Sequence, residues 1–227
     1  MAAPLATEQP TINRAWEAFV AHVPTILLIW LATAVLTGVG FAIYSVMALV
    51  GIGLSGGNAD GTSATLALGL GQLGQLPFTI LTSLVSVLFV AVPALYYERG
   101  EVISVQVAFA ALLQRPLRYL LAGVLFTLVA TLGFLFCILP GVVVALITPV
   151  YVNRIFLTDA PITDVFAASF QTLYRSEQGR TYVLLEILTW LLVLLFSVCT
   201  CGLGALLAVP VSAFYLQNAA YHKGLIR

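Results

Sequence analysis

Apolar residues run along this chain in blocks that are too continuous for half-buried strands and too long for the helices of a water-soluble fold. The blocks cover residues 24–50, 76–97, 119–157, 181–198 and 203–219. A helix needs about 20 apolar residues to cross a hydrocarbon core of about 30 Å. Block 119–157 has Arg154 as its one charge, and at about 1.5 Å per residue it would reach roughly 58 Å, nearly two crossings. Pro140-Gly141 lies near its middle. Proline removes a backbone donor and glycine tolerates a tight turn, so the pair is expected to turn the chain between helices 119–137 and 141–157. The pattern predicts an all-α polytopic membrane protein. Six transmembrane helices (24–50, 76–97, 119–137, 141–157, 181–198 and 203–219) pair as three hairpins, with the short "CTCG" turn between the last two.

The polar positions between the blocks follow a different rhythm. "TINRAWEAFVAHV", "VISVQVAFAALLQR" and "PITDVFAASFQTLYR" alternate polar and apolar residues at helical spacing. Each opens on an isoleucine followed by a residue suited to a helix N-cap: Asn13, Ser104 and Thr163. Helices at about 13–22, 104–114 and 163–175 are therefore expected to lie in the membrane interface, one before each hairpin. Pro93, Pro149 and Pro210 recur roughly every 60 residues, each shortly before a tyrosine (Tyr96, Tyr151, Tyr215). Two readings stand: three copies of one interfacial-helix-plus-hairpin unit, or chance similarity among apolar helices.

Composition agrees with this reading. The chain of 227 residues is 61% hydrophobic and 8% charged, against about 25% charged in ordinary soluble domains. One transmembrane domain over 1–227 accounts for its length. The first block follows neither a basic segment nor a small-residue cleavage site and is expected to be retained. A net charge of zero gives no reason to expect a nucleic acid partner. The nine Lys and Arg (Arg14, Arg99, Arg115, Arg118, Arg154, Arg175, Arg180, Lys223, Arg227) all fall on one side of the six-span arrangement. Asp60 is the only charge in the opposite loops, at about 51–75, 138–140 and 199–202. Basic residues gather in short cytoplasmic loops, so both termini are expected in the cytoplasm. Tyr96, Tyr97, Tyr119, Tyr174, Tyr182 and Tyr221 fall at the same boundary and read as an aromatic belt.

The run "ILPGVVVALITPVYVNRIFLTDAPITDVFAASFQTLYR" resembles the bacterial YciC-like family of integral membrane proteins and the related membrane domain of glycerophosphodiester phosphodiesterases. The matching features are Pro140-Gly141, Pro149, Asp159 and Ala167-Ala168-Ser169. The resemblance covers residues 100–220 well and the first hairpin loosely. It implies a six-helix domain in the bacterial cytoplasmic (inner) membrane and implies no activity. No segment corresponds to the soluble phosphodiesterase domain.

No catalytic constellation emerges, and no metal or cofactor motif. "GIGLSG" (51–56) fits a dinucleotide-binding spacing but lacks the strand and helix such a loop requires. Its Gly-x-Ser-Gly also resembles the nucleophile stretch of rhomboid proteases. Ser55 would need a histidine base, and His22 and His222 are placed about a bilayer away. Close helix approach or a loop accounts for these glycines and for those of "GLGQLG" (69–74). Residues 62–75, with Gln72 and Gln75, are expected to form a short covering helix or a re-entrant loop.

Glu186 lies about 7 Å inside helix five, and carboxylates at such depth pair or line a path. Arg154 sits at similar depth on helix four. A Glu186–Arg154 ion pair is expected, the alternative being a proton- or cation-binding site with Asn153, Gln217 or Asn218. Cys137, Cys199 and Cys201 map to the outer side. Buried free thiols are expected there, with a disulfide from Cys137 to Cys199 or Cys201 as the alternative. Two function classes remain. The first is a non-enzymatic accessory component that binds anionic lipid headgroups or another membrane protein; the second is a small-solute or ion transporter or channel.

Overall fold

The computed structural model describes residues 4–58 and 61–226; Asp60 and Arg227 lie outside the described residues. The described chain is helical: α1 Pro4–Thr7, α2 Ile12–Ala21, α3 Val23–Leu54, α4 Thr62–Ser86, α5 Leu88–Arg99, α6 Val105–Gln114, α7 Pro116–Phe136, α8 Ile138–Ala145, α9 Thr148–Leu157, α10 Ile162–Arg175, α11 Glu177–Cys199 and α12 Ala205–His222. Five helical segments are long and apolar enough to cross a membrane: Val23–Leu54, Thr62–Arg99, Pro116–Phe136, Ile138–Leu157 and Glu177–Cys199. This is a multi-pass membrane protein. The sixth expected span, 203–219, forms α12. Its C-terminal half carries Gln217, Asn218, Tyr221 and His222, which lowers its hydropathy. Most of that half is buried in protein: Phe214, Leu216, Gln217, Asn218, Ala219, Ala220 and Tyr221.

The chain forms two compact units, residues 27–86 and residues 1–26 with 87–227. In the first, α3 and α4 run side by side. A Cβ on Gly71 would come within 3.2 Å of Tyr44 and Met47, and one on Gly74 within 3.0 Å of Ile43. Small residues let helix backbones approach where the hydrophobic effect supplies no drive. This accounts for part of the glycine pattern. Gly56 and Gly57 instead take positive φ in the loop after α3. Residues 62–75 are neither a separate covering helix nor a re-entrant loop. They are the first half of α4, which continues through Pro77. Proline inside a helix is tolerated in membranes because neighbouring groups re-satisfy the freed carbonyl.

In the larger unit, α7 and the α8–α9 segment lie along each other. The chain reverses at Cys137, an extended residue (φ −173°, ψ 157°), three residues before the expected Pro-Gly turn. Pro140 sits in the first turn of α8, where its missing donor removes no helical bond. Gly141 serves packing: a Cβ on Gly133 would lie 2.9 Å from the Gly141 nitrogen, and a Cβ on Gly141 would enter the Phe134 ring. Further along, Tyr151 donates its hydroxyl to the Ala122 carbonyl at 2.9 Å. Pro149 breaks the segment between α8 and α9. The Ala145 carbonyl that would have faced its absent N–H accepts the Thr148 hydroxyl at 2.6 Å.

The three amphipathic segments are helices α2, α6 and α10. Ser104 caps α6, accepting from the Val107 N–H at 3.4 Å. The other two caps differ from expectation. Thr11 is the N-cap of α2, accepting from the Arg14 N–H at 3.3 Å, and Pro161 precedes α10 without a side-chain cap. Asn13 and Thr163 fall inside the first turns. Each helix buries one face: Ala15, Ala18 and Phe19 of α2, Ala108, Ala111 and Leu112 of α6, Val165, Ser169 and Leu173 of α10. On α2, Ile12, Trp16 and Val20 stay exposed at four-residue spacing, an apolar stripe suited to a membrane surface.

Candidate functional site

The larger unit buries an unusual set of polar side chains for a protein so poor in them: His22, Asn153, Ser169, Glu186, Gln217 and Asn218. Two of them, Asn153 and Gln217, form one connected system with Tyr221 and Glu98. α9 carries Asn153 and α12 carries Gln217 and Tyr221, four residues apart on one helical face. The Asn153 amide donates to the Gln217 carbonyl oxygen at 3.2 Å and to the Tyr221 hydroxyl at 3.1 Å. Gln217 donates in turn to the Pro149 carbonyl at 2.8 Å. Tyr221 donates to a Glu98 carboxylate oxygen at 3.2 Å. The donors and acceptors run in one consistent direction, and the network ties α5, α9 and α12 together.

Asn218 points elsewhere. It donates to the carbonyls of Ala6 at 3.0 Å and Glu8 at 3.3 Å, and His222 Nδ1 lies 2.9 Å from the Thr7 carbonyl. The N-terminal segment is thus held against the end of α12.

His22 is a second node, which sequence reasoning treated only as a missing base for Ser55. It follows α2 directly. Its Nδ1 lies 2.6 Å from the Ala18 carbonyl, and its Nε2 accepts the Ile103 N–H at 3.0 Å. Thr25 donates to the Ile103 carbonyl at 2.9 Å. These partners fix the neutral ring with its proton on Nδ1. Burial pushes its pKa below the ordinary value, although the Ala18 carbonyl opposes this. No local pattern in the sequence could reveal a histidine bonded to a backbone group 81 positions away.

The structure does not bring Glu186 and Arg154 together as an ion pair. Arg154 turns to the Thr172 hydroxyl at 2.8 Å and the Leu225 carbonyl at 3.1 Å. These neutral acceptors satisfy it near the end of α9. Glu186 is fully buried on α11 (0% exposed), and neither carboxylate oxygen has a hydrogen-bond partner among the described residues. Asn153, Gln217 and Asn218 all have other partners, so the four expected site residues do not converge.

The remaining candidates resolve simply. Cys137, Cys199 and Cys201 are free and exposed, so there is no bridge, and the thiols are not buried. Ser55 donates to the Gly51 carbonyl at 2.6 Å and lies 2.9 Å from the Ser63 hydroxyl, as a helix-end serine does. The expected aromatic belt is largely internal. Tyr97, Tyr119, Tyr182 and Tyr221 are buried, and Tyr96 packs edge-on to His22 at 4.9 Å. Among the described residues, no group of three or more His, Cys, Asp or Glu is placed to share a metal ion.

The basic residues divide into two groups. Arg14 pairs with Glu8 at 2.5 Å. Arg115 pairs with Asp159, and this hydrogen bond holds the Asp159 carboxyl below its usual range. Arg118 donates to the carbonyls of Thr158 at 2.9 Å and Ala160 at 2.8 Å, closing the end of α9. Arg99, Arg175 and Arg180 are exposed, and Lys223 half-exposed, on the surface of the same unit. A cavity of about 580 Å³ lies among α8, α11 and α12, with Val142, Leu146, Ile187, Trp190, Leu194 and Val209 in its wall. It is apolar and separate from the buried polar network. No protein-family model, no curated protein and no solved structure matches the chain.

Proposed function

We propose that this protein is a non-enzymatic accessory component of a bacterial cytoplasmic membrane that binds lipid or another membrane protein, in keeping with its resemblance to the YciC-like family. The observation that carries this reading is the inward closure of the polar network. Asn153, Gln217 and Tyr221 spend their hydrogen bonds on one another, on the Pro149 carbonyl and on Glu98. A transport site needs polar groups left for a solute. What the larger unit turns outward is apolar, as in Leu184, Leu188, Leu191, Leu192 and Leu195 of α11. The solvent-facing cations Arg99, Arg175, Arg180 and Lys223 suit anionic headgroups, each such contact contributing about 1 kcal/mol.

The proposed topology has α12 as a sixth crossing, three hairpins and both termini in the cytoplasm. In its support, residues 6–8 are bonded to residues 218–222. Chain ends that touch share one side of the membrane, which requires an even number of crossings.

Extraction into native nanodiscs, followed by mass spectrometry of the bound species, tests the function. A stoichiometric protein partner or one enriched anionic lipid is expected. Bulk lipid alone would count against it and favour the second reading, a transporter or channel. That reading has one observation of its own, the unpartnered Glu186, and proteoliposome flux with Glu186→Gln would then decide it.

A further inference from the structure

Among the described residues of the larger unit, Glu186 is a buried carboxyl group that the polar network leaves out. It lies on α11, about two and a half turns from the start of that helix at Glu177. Its exposure is zero, and both oxygens lack a hydrogen-bond partner among the described residues. On the helix it belongs to a stripe with Trp190, Val193 and Ser197, at spacings of four, seven and eleven residues. Those three line the apolar cavity between α8, α11 and α12, so the turns beyond Glu186 offer it little polar company.

The charged and titratable groups around it are engaged or neutral. Tyr174 of α10 and Tyr182 of its own helix are near enough to feel a charge at Glu186. Tyr174 donates its hydroxyl to the Val143 carbonyl at 2.7 Å, and Tyr182 donates to the Leu216 carbonyl at 3.3 Å. On α12, Tyr221 is committed to Asn153 and Glu98, and His222 to Thr7; Tyr215 is half-exposed. Arg154 of α9 is turned to Thr172 and Leu225. No cation faces Glu186 among the described residues. An ionised carboxylate in such a place has neither counter-charge nor donor, and the group neutralises instead.

We propose that Glu186 is a proton-binding site inside the membrane: its carboxylate takes one proton from a hydronium ion, one O–H bond forming as one in the hydronium breaks to leave water, and the group rests at neutral pH as the neutral carboxylic acid. This goes beyond the accessory function and does not depend on it. The other described carboxyl groups do not compete for the assignment. Glu8, Glu17, Glu101, Asp159, Asp164 and Glu177 are exposed, and Glu98 is half-buried and accepts from Tyr221.

Infrared spectroscopy of the whole protein in a maltoside detergent, which carries no carbonyl group, tests the proposal. At pH 7 the wild type should show the C=O stretch of a protonated carboxylic acid, sensitive to deuterium exchange, and Glu186→Gln should lack it. Glu186→Asp, which keeps the acid, should displace the band, so a Gln variant that fails to fold leaves the test intact. A wild-type spectrum with carboxylate bands alone, or an acid band that neither substitution moves, would overturn the assignment.

Discussion

Two buried polar places within one helical unit behave in opposite ways. Around Asn153, three helices supply an amide, a second amide, a phenol and a carboxylate, and each finds a partner. Around Glu186, on the neighbouring α11, a carboxyl group has none among the described residues. Both lie in a medium where water does not compensate a missing hydrogen bond. The first place acts as a fastener whose removal leaves several groups exposed to that medium. The second is a standing cost that the fold retains, and buried polar groups kept without a structural return mark sites of function.

Substitution separates the two. The largest effect is expected from Gln217→Leu, which strips the Asn153 amide and the Pro149 carbonyl of a partner at once. It should lower stability by about 2–3 kcal/mol, within the penalty for buried groups left unpaired, read by thermal unfolding in nanodiscs. Tyr221→Phe removes one hydroxyl that both donates and accepts, and should cost about 1 kcal/mol in the same assay. Glu186→Leu should raise stability by up to about 1 kcal/mol, because an apolar replacement removes an unsatisfied group. A loss with Glu186→Leu as large as that with Gln217→Leu would erase the contrast.

His22 extends the comparison to pH. Its folded pKa lies below the unfolded value of 6.5. Below that value the unfolded chain binds the proton that the fold refuses. Stability owed to His22 should be complete above pH 6.5 and fall as the solution is acidified below it, and His22→Gln should flatten that slope. The smallest effect belongs to the exposed Arg115–Asp159 pair. Replacing both by alanine should leave the unfolding temperature unchanged, since solvent screens such pairs.

The sequence made the helices legible because crossing length and the helical period are properties of single segments. The amphipathic helices α2, α6 and α10 and the division of block 119–157 into two helices could be anticipated for that reason. Finer features failed where a residue's role depends on a neighbour. Pro140-Gly141 carries strong turn chemistry, but Gly141 is needed against Phe134 and Gly133, so the reversal moved to Cys137. Residues 62–75 read as a separate short helix or a re-entrant loop because glycine is a poor helix former in water; in α4, Gly71 and Gly74 let α3 approach. Of the candidate site, depth identified Glu186 correctly as buried, but not its partners. Arg154 had nearer acceptors in Thr172 and Leu225, and no periodicity encodes that choice. Asn153 and Gln217, 64 residues apart, were named as partners of Glu186, and their bond to each other emerges only in three dimensions.

The bond from Asn218 to Ala6 spans 212 positions of the chain. During synthesis residues 6–8 are made before their binding surface on α12. The carbonyls of residues 6–8 therefore wait for their partners until α12 has left the ribosome and folded against them. Closure of so long a loop is slow relative to helix formation. The docked segment then reports that α12 is in place, and a chain truncated before Asn218 would display residues 6–8 loose to the proteases that survey misassembled membrane proteins.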